Sequence, residues 1–126
     1  MAAMRFVILR HECPEGYKPG VHWDLMLEEA ESLRTWELAA EPAIGLTIAA
    51  EQLPDHRLAY LDYEGPISGD RGTVARWDYG SYELLKSSPT ELCFILLGDR
   101  LCGRAVFKRN PASDTSWLLA LSPPAA

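Results

Sequence analysis

The chain has 126 residues, 48% of them hydrophobic, and a formal net charge of −6. This length suits one domain with a substantial core and is too short for two, while the acidic balance excludes broad electrostatic adsorption to nucleic acid or to an anionic membrane. The three cysteines cannot form a complete disulfide set, and neither a signal-type segment nor a run of transmembrane length is apparent. We therefore expect a single domain over residues 1–126 that resides in the cytoplasm and does not interact with membranes.

The first two apolar segments have the pattern of β-strands. Residues 5–11 are short, apolar and rich in strand formers, and glycines and prolines follow them. Residues 21–27 alternate strictly, so one strand face is apolar and the other carries polar side chains. The apolar face holds Trp23, Leu25 and Leu27, opposite His22, Asp24 and Met26. The sequence therefore predicts a strand, a loop and a second strand with a chemically active face.

The rest of the chain continues in short strand-like segments separated by turn residues. Leu46 to Gln52 is rich in alanine and fits either a strand or a short helix. The other predicted strands are Leu33 to Leu38, Arg57 to Tyr63, Thr73 to Trp77, Ser81 to Leu85, Glu91 to Leu97, Arg100 to Lys108 and Trp117 to Leu121. Glycines between them indicate consecutive hairpins, and residues 122–126 form a frayed tail. This pattern predicts an antiparallel β-barrel or sandwich with little helix.

The geometry of one predicted hairpin indicates whether two of the cysteines can form a disulfide. Gly98 and Asp99 suit the two-residue turn between the predicted strands on either side. That turn would set Ile95 opposite Cys102 and leave Cys93 diagonal to Cys102. We therefore expect both cysteines to be core thiols and not a disulfide.

Two histidines and an aspartate have the composition of a metal site. His22 and Asp24 are two residues apart, so an extended strand places them on the same face, and His11 closes a different strand. Three protein ligands with an open position are typical of a catalytic metal centre. Cys13, two residues after His11, could join a zinc site, although it lies in a loop. The alternative is that His22 and Asp24 bond to each other or to solvent on an exposed face.

A further histidine and several arginines suit phosphate chemistry. His56 precedes Tyr60 by four residues, and a turn between them would bring both into one pocket, where histidine acts as a clamp or general acid and tyrosine orients it. The alternative is a surface turn at His56 with Tyr60 half-buried. Guanidinium forks recognise phosphate; the nearby candidates are Arg10, Arg34, Arg57, Arg71 and Arg76. Ser68 to Thr73 lacks the spacing of a phosphate-cradling loop and suits a hairpin turn.

Several segments, taken in order, resemble a known family. They are Arg5 to His11, His22 to Glu28, Thr35-Trp36, Asp55 to Gly65, Gly72 to Val74 with Trp77-Asp78, Tyr82 to Leu84, Leu101 to Arg104 and Trp117 to Leu119. In this order and at these intervals they resemble the 3′-phosphoesterase domain of bacterial DNA ligase D. The resemblance covers nearly the whole chain.

The resemblance implies a small antiparallel β-barrel with a crevice-type active site. Such a crevice holds a divalent metal, manganese first, with zinc or cobalt as alternatives, and trims damaged or ribonucleotide-bearing 3′ ends during DNA break repair. Carried over by position, the metal ligands are His11, His22 and Asp24, while His56 contacts the scissile phosphate and Tyr60 supports the site. The implied partners are a nucleic-acid 3′ end or a small phosphodiester, with separate ligase and polymerase proteins acting in trans.

The chain also departs from the family pattern. Met26 stands where the family has an arginine, Ala40 where it has a lysine, and Leu9 where it has a glutamine; these polar positions assist removal of a terminal phosphate. Residues 12–21 exceed the family's usual spacer, which predicts a rigid, non-basic loop near the pocket. We therefore expect a phosphodiesterase rather than a phosphomonoesterase. The alternatives are a relative that binds metal and a nucleic-acid end, nucleotide or protein without turnover, and a metal-free interaction module.

Overall fold

The computed structural model describes residues 4–14 and 20–124, which form nine β-strands and one short 3₁₀ helix. The strands are β1 (Met4–Glu12), β2 (Val21–Glu28), β3 (Leu33–Leu38), β4 (Thr47–His56), β5 (Gly65–Pro66), β6 (Thr73–Ser88), β7 (Glu91–Gly98), β8 (Cys102–Arg109) and β9 (Ser116–Ser122), and the 3₁₀ helix is Leu58–Leu61. Half of the predicted loop 12–21, residues 15–19, and the end of the predicted tail, 125–126, lie outside the described residues. No helix in the described part is long and apolar enough to cross a membrane.

Eight of the described strands form a closed antiparallel barrel. Their order is β1-β2-β3-β4-β9-β8-β7-β6, and β6 returns to pair with β1. The two-residue strand β5 lies outside this ring, along the start of β6. Closure leaves the ring without a free edge. The predicted small antiparallel β-barrel with little helix is confirmed, and residues 46–52, which fitted either structure, belong mostly to strand β4.

The barrel lumen is filled by apolar side chains from all eight strands. At its centre Trp36 stacks on Phe107 with ring centroids 4.6 Å apart, and Trp117 meets both rings edge-on at 5.8 Å. Burying a side chain of this kind contributes about 1.5–3 kcal/mol relative to leaving it exposed. Leu25 and Leu27 of β2 point into this core, as the alternation of that segment predicts.

A second, smaller apolar cluster lies on the outer face of β1 and β2. It contains Val7, Leu9 and Met26, which alternate with the lumen residues of the same strands. Residues 57–72, here called the covering segment, pack onto this cluster. The segment comprises the 3₁₀ helix, β5 and the turn that precedes β6, and its buried anchor is Leu61, which is 3% exposed. The outer face of the barrel is therefore partly enclosed where the covering segment lies.

The predicted strand over residues 57–63 is wrong, because the chain forms the 3₁₀ helix there. Both edges of β4 are already paired, one with β3 and the other with β9. The residues that follow β4 therefore find no free strand edge there with which to form hydrogen bonds. The amide of Tyr60 instead bonds to the carbonyl of Arg57 at 3.0 Å. The predicted turn over Ser68 to Thr73 is confirmed, since the amide of Ile67 bonds to the carbonyl of Gly72 at 2.7 Å.

The predicted hairpin of strands 73–77 and 81–85, with glycine in its turn, is also wrong. Residues 73–88 form one 16-residue strand, β6, whose first part pairs with β1 and whose second part pairs with β7. Gly80 serves the close approach to β7, because a Cβ atom there would lie 2.1 Å from the carbonyl oxygen of Leu97. This glycine is therefore required by the close approach of two strand backbones and does not form a turn.

The predicted two-residue turn at Gly98 and Asp99 is wrong as well. Strand β7 continues through Gly98 and β8 begins at Cys102, so three residues make the turn and Cys102 pairs with Leu97 instead of Ile95. Cys93 and Cys102 are free, as predicted. Cys93 is buried, but Cys102 lies on the outer surface and is not a core thiol.

Buried Asp78 holds this longer turn. Its carboxylate accepts hydrogen bonds from the amides of Asp99, Arg100 and Leu101 at 2.8–3.1 Å and from that of Tyr79 at 2.9 Å. The side chain is 2% exposed. A buried carboxylate with several amide donors stabilises the one loop conformation that satisfies them all.

The substitution Asp78→Asn tests this clamp. The amide group removes the charge and one acceptor oxygen, and we expect the free energy of unfolding to fall by about 2–3 kcal/mol. Urea unfolding followed by tryptophan fluorescence measures the change. The matched control is Asp99→Asn, an exposed residue of the same turn, which should change stability by less than about 0.5 kcal/mol. Equal effects of the two substitutions would contradict a specific role for the Asp78 carboxylate.

Candidate active site

A crevice of about 160 Å³ lies between the outer face of β1 and β2 and the covering segment. Five predicted site residues line it together: His11, His22, Asp24, His56 and Tyr60. Apolar side chains line the rest of its wall, among them Leu9, Met26 and Val74. Residues that are 45 positions apart in sequence, such as His11 and His56, are thus brought to one cleft.

The pairing of β1 with β2 places the first three of these residues. His11 lies directly opposite His22, and Leu9 lies opposite Asp24. Because side chains alternate across a strand, His22, Asp24 and Met26 share the outer face, while Leu25 points into the lumen. The predicted division of this strand into an apolar face and a polar face is confirmed.

The His11 ring is held between the covering segment and Asp24. Its Nε2 lies 2.6 Å from the backbone carbonyl oxygen of Arg71, and its Nδ1 lies 3.7 Å from a carboxylate oxygen of Asp24. A carbonyl oxygen only accepts hydrogen bonds, so Nε2 carries the proton. Gly72 permits this contact, because a Cβ atom there would lie 1.9 Å from the carbonyl oxygen of Glu12.

The His22 ring is held by a carboxylate that sequence reasoning missed. Its Nδ1 lies 2.7 Å from Oε1 of Glu37, and its Nε2 is buried without a hydrogen-bond partner. Glu37 belongs to β3 and pairs directly with Asp24. A signal was present: Glu37 is the polar residue between Trp36 and Leu38, so alternation places it on the face opposite the buried tryptophan.

His56 and Tyr60 form the opposite wall of the crevice. Nδ1 of His56 donates a hydrogen bond to the carbonyl oxygen of Pro54 at 3.0 Å. The imidazole meets the Tyr60 ring edge-on, with centroids 5.7 Å apart and the planes at 73°. Both side chains line one crevice, which is one of the two arrangements that the sequence left open, and Tyr60 is half-buried as in the other. The turn between them is a 3₁₀ helix, and no strand follows it.

The predicted phosphate-binding arginines are dispersed. Arg71 lines the crevice, and its guanidinium bonds to the Ser68 carbonyl at 2.7 Å and to the Ser68 hydroxyl at 3.2 Å. The Arg57 guanidinium lies over the Tyr60 ring, 6.0 Å from its centroid. The other three lie elsewhere: Arg10 pairs with Glu12, Arg34 stacks over Trp36, and Arg76 stacks over Tyr79. The structure therefore brings one of the predicted arginines into the crevice itself.

Polar contacts fasten the covering segment to the barrel. Arg5 of β1 binds Asp62 at 2.6 Å, and this hydrogen bond lowers the pKa of the Asp62 carboxyl group below its usual value. Glu64 accepts a hydrogen bond from the backbone amide of Arg76 at 2.9 Å. Together with buried Leu61, these contacts determine where the roof of the crevice lies.

The types of side chain in the crevice suit a divalent metal ion. Two imidazoles and a carboxylate suit Mn²⁺ or Zn²⁺, and each ring is bonded through one nitrogen to an acceptor, as in most metal-binding histidines. The buried, unpartnered Nε2 of His22 is an atom that a metal would satisfy. Within residues 4–14 and 20–124, however, no group of three or more His, Cys, Asp or Glu side chains is arranged to hold a metal ion. The side chains form two neighbouring pairs, His11 with Asp24 and His22 with Glu37, and the three-ligand site stays a prediction.

Comparison with known proteins identifies the family. Residues 10–109 match the DNA Ligase D 3′-phosphoesterase domain, so the chain belongs to this family and the predicted resemblance is confirmed. A relative is the "Multifunctional non-homologous end joining protein LigD" of Pseudomonas aeruginosa, which is 30% identical over 112 residues. The match covers 80% of this chain and 13% of that protein, so the chain corresponds to a small part of its relative.

The hydrogen bonds of the crevice predict a specific tautomer for each histidine. When each imidazole is neutral, its proton should reside on Nε2 of His11 but on Nδ1 of His22 and of His56. Each of these nitrogens faces a carbonyl or carboxylate oxygen, which only accepts hydrogen bonds. Long-range ¹H–¹⁵N NMR correlations at alkaline pH measure this directly. The substitution Glu37→Ala should release the preference of His22 and leave His11 and His56 unchanged. A His22 ring protonated on Nε2 in the unsubstituted protein would contradict the described arrangement.

Proposed function

We propose that this protein is a metal-dependent phosphodiesterase that removes a nucleotide or blocking group from nucleic-acid 3′ ends. The observation that carries the proposal is the single crevice lined by His11, His22, Asp24, His56 and Tyr60, in a chain of the DNA ligase D 3′-phosphoesterase domain family. These residue types supply metal ligands on one wall and a proton donor on the other, which is the composition that phosphoester hydrolysis requires.

The proposed metal ligands are His11, His22 and Asp24. Manganese is the first candidate, with zinc or cobalt as alternatives. A bound divalent ion supplies a water molecule of lowered pKa and neutralises phosphate charge. Glu37 and the carbonyl of Arg71 keep the two imidazoles oriented, because Glu37 accepts a hydrogen bond from Nδ1 of His22 and the carbonyl accepts one from Nε2 of His11.

His56 is the proposed proton donor to the leaving oxygen. Its Nδ1 is engaged by the Pro54 carbonyl, so the ring presents Nε2 for the reaction. Tyr60 packs edge-on against the imidazole and limits its rotation. A protonated Nε2 donates to the oxygen on which negative charge develops, and proton transfer of this kind contributes about 10²–10⁴-fold to a rate.

Charge in the crevice favours a phosphodiester over a terminal phosphate. Asp24 and Glu37 lie on neighbouring strands, directly opposite each other, and the Arg71 guanidinium is already bonded to Ser68. Met26 offers no positive charge. A terminal phosphate carries about −1.5 to −2 charges at pH 7, whereas a diester carries one, so the monoester depends more on a cationic side chain beside the metal, which Met26 does not supply.

We further propose that the substrate is a DNA 3′ end that bears a ribonucleotide or damage. The name of the Pseudomonas relative associates that protein with non-homologous end joining. By analogy, this chain would prepare ends for ligase and polymerase proteins that act in trans. A small phosphodiester is the simpler substrate that the same crevice would accept.

Hydrolysis by the purified protein tests the proposal. With Mn²⁺ it should remove the terminal ribonucleotide from a primer that ends in one, and act at least about tenfold more slowly on the matching 3′-phosphate, a difference of about 1.4 kcal/mol in barrier. The substitution Asp24→Asn should lower kcat/KM at least about 100-fold, since it removes a metal ligand and its charge. Gel-resolved primer products at several Mn²⁺ concentrations measure both effects.

Asp99→Asn is the control for this experiment, because it makes the same chemical change in a turn that does not line the crevice. Its activity should equal that of the unsubstituted protein. No cleavage of primer or of simple phosphodiesters by folded, Mn²⁺-loaded protein would overturn the enzymatic proposal. Binding of the primer without turnover would favour a relative that holds nucleic-acid ends and has lost catalysis.

A further inference from the structure

A second groove of about 220 Å³ adjoins the crevice. The covering segment forms its walls, including Ala59, Tyr63 and Pro66. Tyr60 and Ile67 line both the groove and the crevice, so the two spaces meet at these side chains. Here this space is called the side groove.

Two tyrosine rings line the side groove, and contacts with neighbouring residues orient them. Tyr60 meets Tyr63 edge-on, with ring centroids 5.8 Å apart and the planes at 84°. The Tyr63 hydroxyl donates a hydrogen bond to the carbonyl oxygen of Pro66, and the other edge of Tyr60 is packed by His56. The rings are therefore oriented before any ligand binds, which lowers the entropic cost of stacking on them.

A cation stands at the same groove without a carboxylate partner. Arg57 lines it and lies 6.0 Å from the Tyr60 ring centroid. Among the described residues, Arg57 forms no ion pair, whereas Arg5 and Arg76 both approach Asp62. A guanidinium that is exposed and unpaired is available to bind a phosphate oxygen. In a protein of net charge −6, this positive site would act locally.

We propose that the side groove binds the nucleoside next to the phosphodiester in the crevice, with its base against Tyr60 and Tyr63 and an adjacent phosphate on Arg57. The proposal rests on the proposed function and names its substrate class: a nucleic-acid end recognised by stacking as well as by its phosphate. Aromatic stacking tolerates any base, since each base has a π-face. The site therefore selects nucleotides over base-free phosphodiesters without selecting a sequence.

Binding measured without metal tests the side groove independently of catalysis. The probe is a fluorescent oligonucleotide ending in an adenosine ribonucleotide, compared by anisotropy at low salt with the same oligonucleotide ending in an abasic residue. The unsubstituted protein should bind the adenosine-ended probe about tenfold more tightly, a ratio expected for one stacked base. Tyr63→Leu should abolish that ratio.

A second variant guards against misfolding of the first. Ala59→Glu places a carboxylate at the exposed groove wall beside Arg57 and should weaken binding of both probes at least about fivefold. Ala112→Glu is its matched control, since it makes the same charge change at an exposed turn residue that lines neither space. Its affinity should equal that of the unsubstituted protein.

The outcomes separate this inference from the proposed function. Equal affinity for both probes, or equal weakening by Ala59→Glu and Ala112→Glu, would overturn the side groove. Retained base preference with no Mn²⁺-dependent cleavage would support the groove and count against the phosphodiesterase. Adenosine monophosphate added as competitor identifies the source of the nucleoside: displacement of the probe at comparable concentration indicates a free nucleotide and overturns the assignment to a nucleic-acid end.

Discussion

The antiparallel pairing of β1 with β2 is the constraint on which the rest of the molecule depends. Each strand has an apolar face that fills the barrel lumen and an opposite face that carries His11, His22 and Asp24. A shift of one residue in either strand would turn these polar side chains into the core and expose leucines. Burial of Leu25, Leu27 and their neighbours therefore determines the position of the site as firmly as it determines the fold.

The covering segment turns this polar face into a crevice. Without it, the face between β1 and β2 would be an open sheet surface. It contributes Tyr60 to the wall and a backbone carbonyl that orients His11. Its attachment uses buried Leu61, partly buried side chains such as Tyr63, the pairing of β5 with β6 and surface ion pairs such as Arg5 with Asp62.

Alternation in the sequence was sufficient to predict the site strand and an antiparallel barrel or sandwich, and the family resemblance selected the barrel. Period-two patterns depend on burial of one face, and burial is strong at β2, so its polar face could be assigned from the residues alone. The histidines and Asp24 followed from that assignment. The covering segment was mispredicted because the alternation of Leu58, Tyr60 and Asp62 carries no information about whether a neighbouring strand has a free edge.

Other features arise from contacts between residues distant in sequence. Gly80 lies inside a strand because of the carbonyl of Leu97, and the β7–β8 turn has three residues because Asp78 binds its amides. Alternation in β3 places Glu37 on the outer face, but only the register of β2 with β3 places it beside Asp24 and His22. Sequence patterns indicate which residues are buried and where local turns occur. They do not indicate which distant strands and side chains lie next to each other in the fold, and the features above depend on that.

The proposed metal centre would unite the two histidine–carboxylate pairs on the outer face of the barrel. A crystal structure of the protein soaked with Mn²⁺, with anomalous diffraction to locate the ion, tests it most directly. The account predicts one strong anomalous peak bonded by Nδ1 of His11, Nε2 of His22 and the Asp24 carboxylate, with Glu37 still bonded to His22. An ion bound elsewhere, or no ion in the crevice at saturating Mn²⁺, would contradict it.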